Sequence, residues 1–160
     1  MNKMILSASV ARVKEALQIK GLAFEIKEFS ESTRTANEAA AVIGCQVAQI
    51  MKSLLFRTVE SKQPILILVS GKNRVNERSI EALVGEKIVK ADADFTREVT
   101  GFTIGGIPPL ENEKIHTVFI DQDLLDFEIL WAAAGTPFAV FSLLSCDIQK
   151  ITSGKIVSIK

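Results

Sequence analysis

The positions of apolar residues predict several short helices along the chain. Ser7 precedes three apolar residues at helical intervals, Val10, Val13 and Leu17. Thr35 is followed three residues later by Glu38, which is the spacing of a capping box, and Gly44 can end the helix that begins there. Comparable spacing and capping residues predict further helices over residues 76–84, 91–99 and 128–134 and one close to the C-terminus.

Runs of apolar and β-branched residues predict strands between these helices. The runs 53–59 and 65–69 enclose the polar turn 61–64, which predicts a β-hairpin. A hairpin pairs its strands antiparallel, whereas strands that alternate with helices usually pair in parallel. We therefore expect an α+β fold with a mixed sheet, in which residues 1–160 form a single domain without repeat or linker. Shorter strands are predicted at 24–29, 87–90, 117–121 and 138–143.

Lys52 stands out among the basic residues because its neighbours are apolar. It follows Ile50 and Met51, which continue a helical spacing, and precedes a predicted strand, so we expect it at a helix-to-strand junction. A lysine in such a setting either extends its stem to water or presents its ammonium to a cleft, where it can donate to a carbonyl or phosphate oxygen. The sequence leaves both alternatives open.

The segment 101–110 contains three glycines and two prolines and is predicted to be a shaped loop. Gly105 and Gly106 carry no Cβ, so their backbone N–H groups can approach a ligand and stabilise an ester oxyanion. The same pair also suits a purely structural turn.

The composition restricts the classes of function. Nineteen basic and nineteen acidic residues give zero net charge, so any contact with nucleic acid must be local. The best candidate for such a contact is the group Lys72, Arg74 and Arg78. The chain has neither a signal-peptide pattern nor an apolar run long enough for a membrane span, and we expect a cytoplasmic protein.

The usual catalytic and metal-binding patterns are missing from the sequence. His116 is the single histidine, and no serine elbow accompanies it, so it is interpreted as a residue at the edge of a strand. Cys45 and Cys146 lie far apart without neighbours at metal-ligand spacing, which favours reduced thiols. We expect no metal and no cofactor, and the sequence carries no signal for an oligomeric state.

Four blocks occur in a characteristic order: TANEAA at 35–40, QIMKSL at 49–54, TGFTIGGIPP at 100–109 and AAAGTP at 132–137. Together they resemble the YbaK/ProX family of aminoacyl-tRNA deacylases, and the resemblance covers nearly the whole chain. It implies a strongly twisted, partly barrel-like mixed sheet surrounded by helices. It also implies a free-standing hydrolase that removes a wrong amino acid, such as alanine or cysteine, from mischarged tRNA, often tRNA for proline. A synthetase such as prolyl-tRNA synthetase is the implied partner.

The resemblance also assigns roles to particular residues. Lys52 matches the functional lysine of the family, and two loops match those that line its pocket: Gly105, Gly106, Ile107 and Pro108 in one, and Gly135, Thr136 and Pro137 in the other. Phe29 and Thr35 are implied near the same mouth. The segment 110–114 departs from the family pattern, in which glycine and often histidine follow the prolines.

Two alternatives remain open at this stage. The fold could serve as a binding or regulatory module for an amino acid or nucleotide, with Lys52 holding a carboxylate or phosphate. It could also hydrolyse another small acyl ester, which the neutral net charge favours because tRNA binding ordinarily uses a basic surface.

Overall fold

The computed structural model of the protein describes residues 7–30 and 35–160. The helices in these residues are α1 (Ala8–Ile19), α2 (Ala36–Ile43), α3 (Glu77–Val84), α4 (Ala93–Thr100) and α5 (Ile148–Thr152). The strands are β1 (Ile26–Glu28), β2 (Ile50–Thr58), β3 (Pro64–Ser70), β4 (Ile88–Lys90), β5 (Thr117–Asp121), β6 (Ile129–Ala133), β7 (Ala139–Leu144) and β8 (Lys155–Val157). Short 3-10 helices lie at Val47–Gln49, Gln122–Asp126 and Ser145–Asp147.

All eight strands belong to one mixed sheet. Seven follow the order β1-β7-β6-β2-β3-β5-β8, and β4 adds to β2. The pairs β2–β3, β2–β4, β6–β7 and β1–β7 are antiparallel, whereas β2–β6, β3–β5 and β5–β8 are parallel. The prediction of an α+β fold with a mixed sheet is therefore confirmed.

The central strand β2 changes its partner along one edge. β6 pairs with its first two residues and β4 with its last three. The backbone N–H of Ala91 donates to the carbonyl of Leu55 at 3.1 Å. In the described chain no strand pairs along this edge with the residues in between, Lys52, Ser53 and Leu54. The sheet thus has a gap in its middle, which leaves room for a ligand.

The ends of α2 follow the predicted chemistry. The hydroxyl of Thr35 accepts a hydrogen bond from the N–H of Glu38 at 3.1 Å, and the Glu38 carboxylate accepts one from the N–H of Thr35 at 3.1 Å. Gly44 ends the helix in the left-handed conformation, with φ 87°. The capping box is confirmed, and it fixes Thr35 at the start of the helix.

The predicted helix over 128–134 is wrong, because these residues form β6. The strand is buried over most of its length and pairs antiparallel with β7 and parallel with β2. A short run that is apolar on both faces cannot be assigned to helix or strand by periodicity alone. Here backbone hydrogen bonding to a neighbouring strand on each edge stabilises the strand, despite the helix propensity of its alanines.

The predicted junction at Lys52 also differs from the structure. Ile50 and Met51 are the first residues of β2, preceded by the 3-10 helix, so Lys52 is the third residue of a strand. Lys52 therefore lies within the stretch of β2 that borders the gap in the sheet.

The core forms on both faces of the sheet. Helix α1 buries Val10, Val13 and Leu17 against one face, and Ile80 of α3 packs with Phe56 on the other. No helix in residues 7–30 and 35–160 is long and apolar enough to cross a bilayer. Cys45 and Cys146 are both free thiols.

Candidate functional site

A cavity of about 590 Å³ opens at the gap in the sheet. This volume lies in the range of roughly 300–1,000 Å³ that is typical of small-molecule sites. It is lined by β2, by the start of α2, by β6 with the turn that follows it, and by the glycine-rich loop. The residues used below that line it are Thr35, Lys52, Ser53, Arg74, Lys90, Gly105, Ile107, Trp131, Thr136 and Pro137.

The ammonium of Lys52 is anchored at the side of this cavity. Its Nζ donates to the backbone carbonyl of Asn73 at 2.9 Å, and the side chain is half-buried. An ammonium has three N–H donors, and the carbonyl takes one of them. The described residues leave the other two donors available to a bound molecule.

The electrostatic surroundings of Lys52 are positive. Burial, reinforced by the charges of Arg74 and Lys90, lowers the pKa of the Lys52 ammonium, and Asp121 opposes this shift. The described residues that line the cavity include these three cations and no aspartate, glutamate or histidine. Such a lining favours an anionic ligand and supplies no general base.

Ser53 adds polar groups at the gap. Backbone N–H and C=O groups point to alternate edges of a strand from one residue to the next. Because the carbonyl of Leu55 faces the edge where Ala91 binds, the N–H and C=O of Ser53, two residues earlier, face the open gap. The Ser53 hydroxyl is buried and has no hydrogen-bond partner among the described residues.

The two glycine-containing loops are packed directly against each other. A Cβ on Gly106 would lie 2.9 Å from the carbonyl oxygen of Gly135, and a Cβ on Gly135 would lie 2.7 Å from the carbonyl oxygen of Ser9. These distances are too short for any other residue without movement of the backbone. The pair therefore fixes the 105–107 loop against the 135–137 turn and α1.

The two loop glycines differ in what their N–H groups do. The N–H of Gly106 already donates to the carbonyl of Thr103 at 2.9 Å, within its own turn. Gly105 is exposed, lines the cavity and has φ 89°, a conformation that favours glycine. Gly105 is thus the better placed of the two to donate to a ligand, and Gly106 holds the loop.

The other residues expected in the pocket fall into two groups. Thr35, Ile107, Thr136 and Pro137 line the cavity. Phe29 lies behind the wall, in a cluster with Trp131, and its N–H donates to the carbonyl of Phe138 at 2.7 Å. Pro108 is buried and lines a second, smaller hollow of about 200 Å³.

The three basic residues predicted to contact tRNA do not all line the cavity. Arg74 lines the cavity, whereas Lys72 and Arg78 are exposed and do not. Lys90, at the end of β4, lines the cavity and was missed, because nothing in its local sequence distinguishes it from other surface lysines. Trp131 was missed for another reason, since its segment was interpreted as helical.

The divergent segment 110–114 lies away from the main cavity. Glu111 forms an ion pair with Lys20 at 2.8 Å, and the amide of Asn112 donates to the carbonyl of Val99 at 3.2 Å. Both residues line the smaller hollow. The segment that departs from the family pattern therefore contributes no described residue to the lining of the cavity around Lys52. Within the described residues, no group of three His, Cys, Asp or Glu could hold a metal ion.

The fold and the cavity define a class that is known from other proteins. A family model for the aminoacyl-tRNA editing domain matches residues 30–151, which is well over half of the chain. The chain belongs to this family, and the resemblance of its four sequence blocks to YbaK/ProX proteins is confirmed.

Individual relatives agree with this assignment. The chain is 28% identical over 132 residues to the uncharacterized protein YwhH of Bacillus subtilis, covering 82% of this chain and 83% of that protein. It is 28% identical over 102 residues to the proline–tRNA ligase of Limosilactobacillus fermentum, covering 61% of this chain and 18% of the ligase. The chain thus corresponds to a small part of that enzyme.

Solved structures share the fold over nearly the full length. A protein proposed to be a trans-editing enzyme for prolyl tRNA synthetase superposes with TM-score 0.89 and 40% identity, covering 97% of this chain and 98% of that one. The hypothetical protein APE2540 superposes with TM-score 0.83 and 25% identity, covering 92% and 98% of the two chains.

Proposed function

We propose that this chain hydrolyses the ester that joins a wrong, small amino acid to the 3′ end of tRNA. The chain belongs to the aminoacyl-tRNA editing family. The observation that carries the proposal is the gap in its sheet, where the Lys52 ammonium lies beside the unpaired polar groups of Ser53. Aminoacyl esters are intrinsically reactive, so positioning and oxyanion stabilisation suffice for a large acceleration.

The cavity supports a division of roles for this reaction. Lys52 has two N–H donors for the developing oxyanion or for the terminal nucleotide, and the N–H groups of Gly105 and Ser53 add neutral donors. Since the described lining holds no general base, the attacking water is activated by the substrate itself, through the free ribose hydroxyl. Ile107, Thr136 and Pro137 then bound the space for the amino acid side chain.

Charge at the rim supports an anionic substrate. Arg74 and Lys90 line the cavity together with Lys52, so cations are available to phosphates of the tRNA 3′ end. Lys72 and Arg78, exposed near Arg74, are proposed to extend this contact along the tRNA. Similarity to part of proline–tRNA ligases suggests tRNA for proline as substrate and prolyl-tRNA synthetase as a partner.

A comparison of three mischarged tRNAs tests this function. Single-turnover deacylation should be fast for alanyl- and cysteinyl-tRNA for proline and slow for the phenylalanyl form, because the fixed loops bound a small side chain. Equal or faster release of phenylalanine would exclude a pocket that selects small amino acid side chains. Failure to release any of the three amino acids would contradict the deacylase and favour a binding module.

A further inference from the structure

Asp121 is a buried carboxylate that lies outside the cavity lining. The residue is 1% exposed at the end of β5. Its Oδ2 accepts from the N–H of Ser70 at 3.0 Å and from the amide of Asn73 at 2.8 Å, and its Oδ1 accepts from the N–H of Asp123 at 3.0 Å. Burying a carboxylate is costly unless such donors surround it, so this arrangement calls for an explanation beyond packing.

Asn73 is held by several hydrogen bonds, one of which is to this carboxylate. Its amide donates to Asp121 and also to Asp123, both at 2.8 Å, and its backbone N–H donates to the carbonyl of Ser70 at 2.9 Å. With these groups engaged, the backbone carbonyl of Asn73 has a fixed direction. That carbonyl is the acceptor for the Lys52 ammonium.

We propose that Asp121 and Asn73 are positioning residues that fix the Lys52 ammonium toward the substrate. Asp121 holds the side chain of Asn73, Asn73 presents its carbonyl, and the carbonyl directs one ammonium N–H away so that the other two face the cavity. The kinetic part of this inference rests on the proposed function.

The charges around Lys52 give Asp121 a second effect. Arg74 and Lys90 face the ammonium from the 71–76 segment and from β4, and both disfavour its charged form. Asp121, from β5, favours the charged form. Asp123 is paired with Lys160 at 3.0 Å, so its charge is largely compensated.

Two variants separate geometry from charge. Asp121→Asn keeps the shape and one acceptor oxygen but removes the negative charge. Asn73→Ala keeps the backbone carbonyl and all charges but removes the amide that anchors it. Glu86→Gln is the matched control, because Glu86 also accepts several hydrogen bonds, from Glu60 and Ser61, but lies outside the cavity lining.

Two readouts are measured on each protein. The first is the NMR titration of Lys52 in protein labelled with ¹³C at lysine Cε, with its signal assigned by Lys52→Arg. The second is single-turnover deacylation of alanyl-tRNA as a function of pH. Circular dichroism and thermal unfolding establish that each variant is folded, and Asn73→Ala carries the test if Asp121→Asn does not fold.

Both variants should slow deacylation by about tenfold or more, since a displacement of about 1 Å from the productive geometry can cost up to about 10²-fold in rate. The enzyme concentration that gives half of the maximal single-turnover rate should change little, because neither residue lines the cavity. The Lys52 titration should move to lower pH in Asp121→Asn and much less in Asn73→Ala. Glu86→Gln should match the wild type in both readouts.

The inference is overturned if folded Asp121→Asn and Asn73→Ala keep wild-type rates and Lys52 titrates in both as in the wild type. A wild type that shows no deacylation would reject the proposed function, and a shifted Lys52 titration in Asp121→Asn would then still support the electrostatic coupling of Asp121 to Lys52. The two claims therefore fail separately.

Discussion

At the scale of single residues, Lys52 is the side chain on which the proposed chemistry depends. Burial and two neighbouring cations lower the pKa of its ammonium, and the charged form stabilises an oxyanion much more strongly than the neutral amine does. The fraction of charged lysine therefore falls as the pH rises through this lowered pKa. The deacylation rate should fall in the same interval, below the pH at which an ordinary lysine loses its proton.

A pH profile measures this effect. Single-turnover rates should show an alkaline decline once uncatalysed ester hydrolysis is subtracted at each pH. Lys52→Arg should lack this decline, because a guanidinium keeps its charge. A wild type without a decline, or an arginine variant that retains it, would show that the Lys52 proton does not control the rate.

The sequence identified some of these residues but not others. The apolar neighbours of Lys52 marked it as unusual, and this signal is local. Asn73 and Asp121 gave no such signal, because their contacts join residues 21 and 48 positions apart along the chain. Only the fold brings them together.

At the scale of elements, the position of the 105–107 loop depends on close contact between two backbones. A methyl group on Gly106 would meet backbone atoms of Gly135 and Thr136 at 2.9 Å. Gly106→Ala should lower the free energy of unfolding by about 1–3 kcal/mol, as expected for overpacking. It should also slow deacylation, since the loop that carries Gly105 must move.

Gly85→Ala is the control for this prediction. Gly85 ends α3 with φ 90° and has nothing within 4 Å of an added Cβ, so its substitution causes strain of about 1–2 kcal/mol without a clash. Urea unfolding and single-turnover rates should show both variants destabilised but only Gly106→Ala slowed. Equal rates in the two variants would mean that the loop contact does not shape the site.

Prediction of the elements themselves succeeded where capping residues mark the ends. Thr35, Asn76 and Gly44 all act as the sequence indicates. The error at β6 arose because a strand buried on both faces has the same apolar composition as a buried helix. The gap in β2 could not be predicted either, since it depends on which strands share an edge.

At the scale of the whole molecule, zero net charge conceals a local concentration of positive charge at the cavity. If Arg74 and Lys90 contact phosphates, replacing both with alanine should raise KM. It should also reduce the slope of log KM against log salt by about 1–2, since each lost phosphate contact removes roughly 0.7–0.9.

Replacement of two lysines outside the cavity lining, Lys150 and Lys155, provides the charge-matched control. This variant should keep the affinity and the salt dependence of the wild type. An unchanged slope in the Arg74 and Lys90 variant would place the tRNA contact on another surface.

The central claim is that Lys52 drives deacylation from the gap in the sheet, and its most direct test is single-turnover release of alanine from tRNA by Lys52→Ala. The loss of one preorganised donor should slow the reaction by about 10²- to 10³-fold. Circular dichroism should remain that of the wild type, because the half-buried side chain lines a cavity instead of filling the core. A well-folded Lys52→Ala protein with near wild-type turnover would contradict the account.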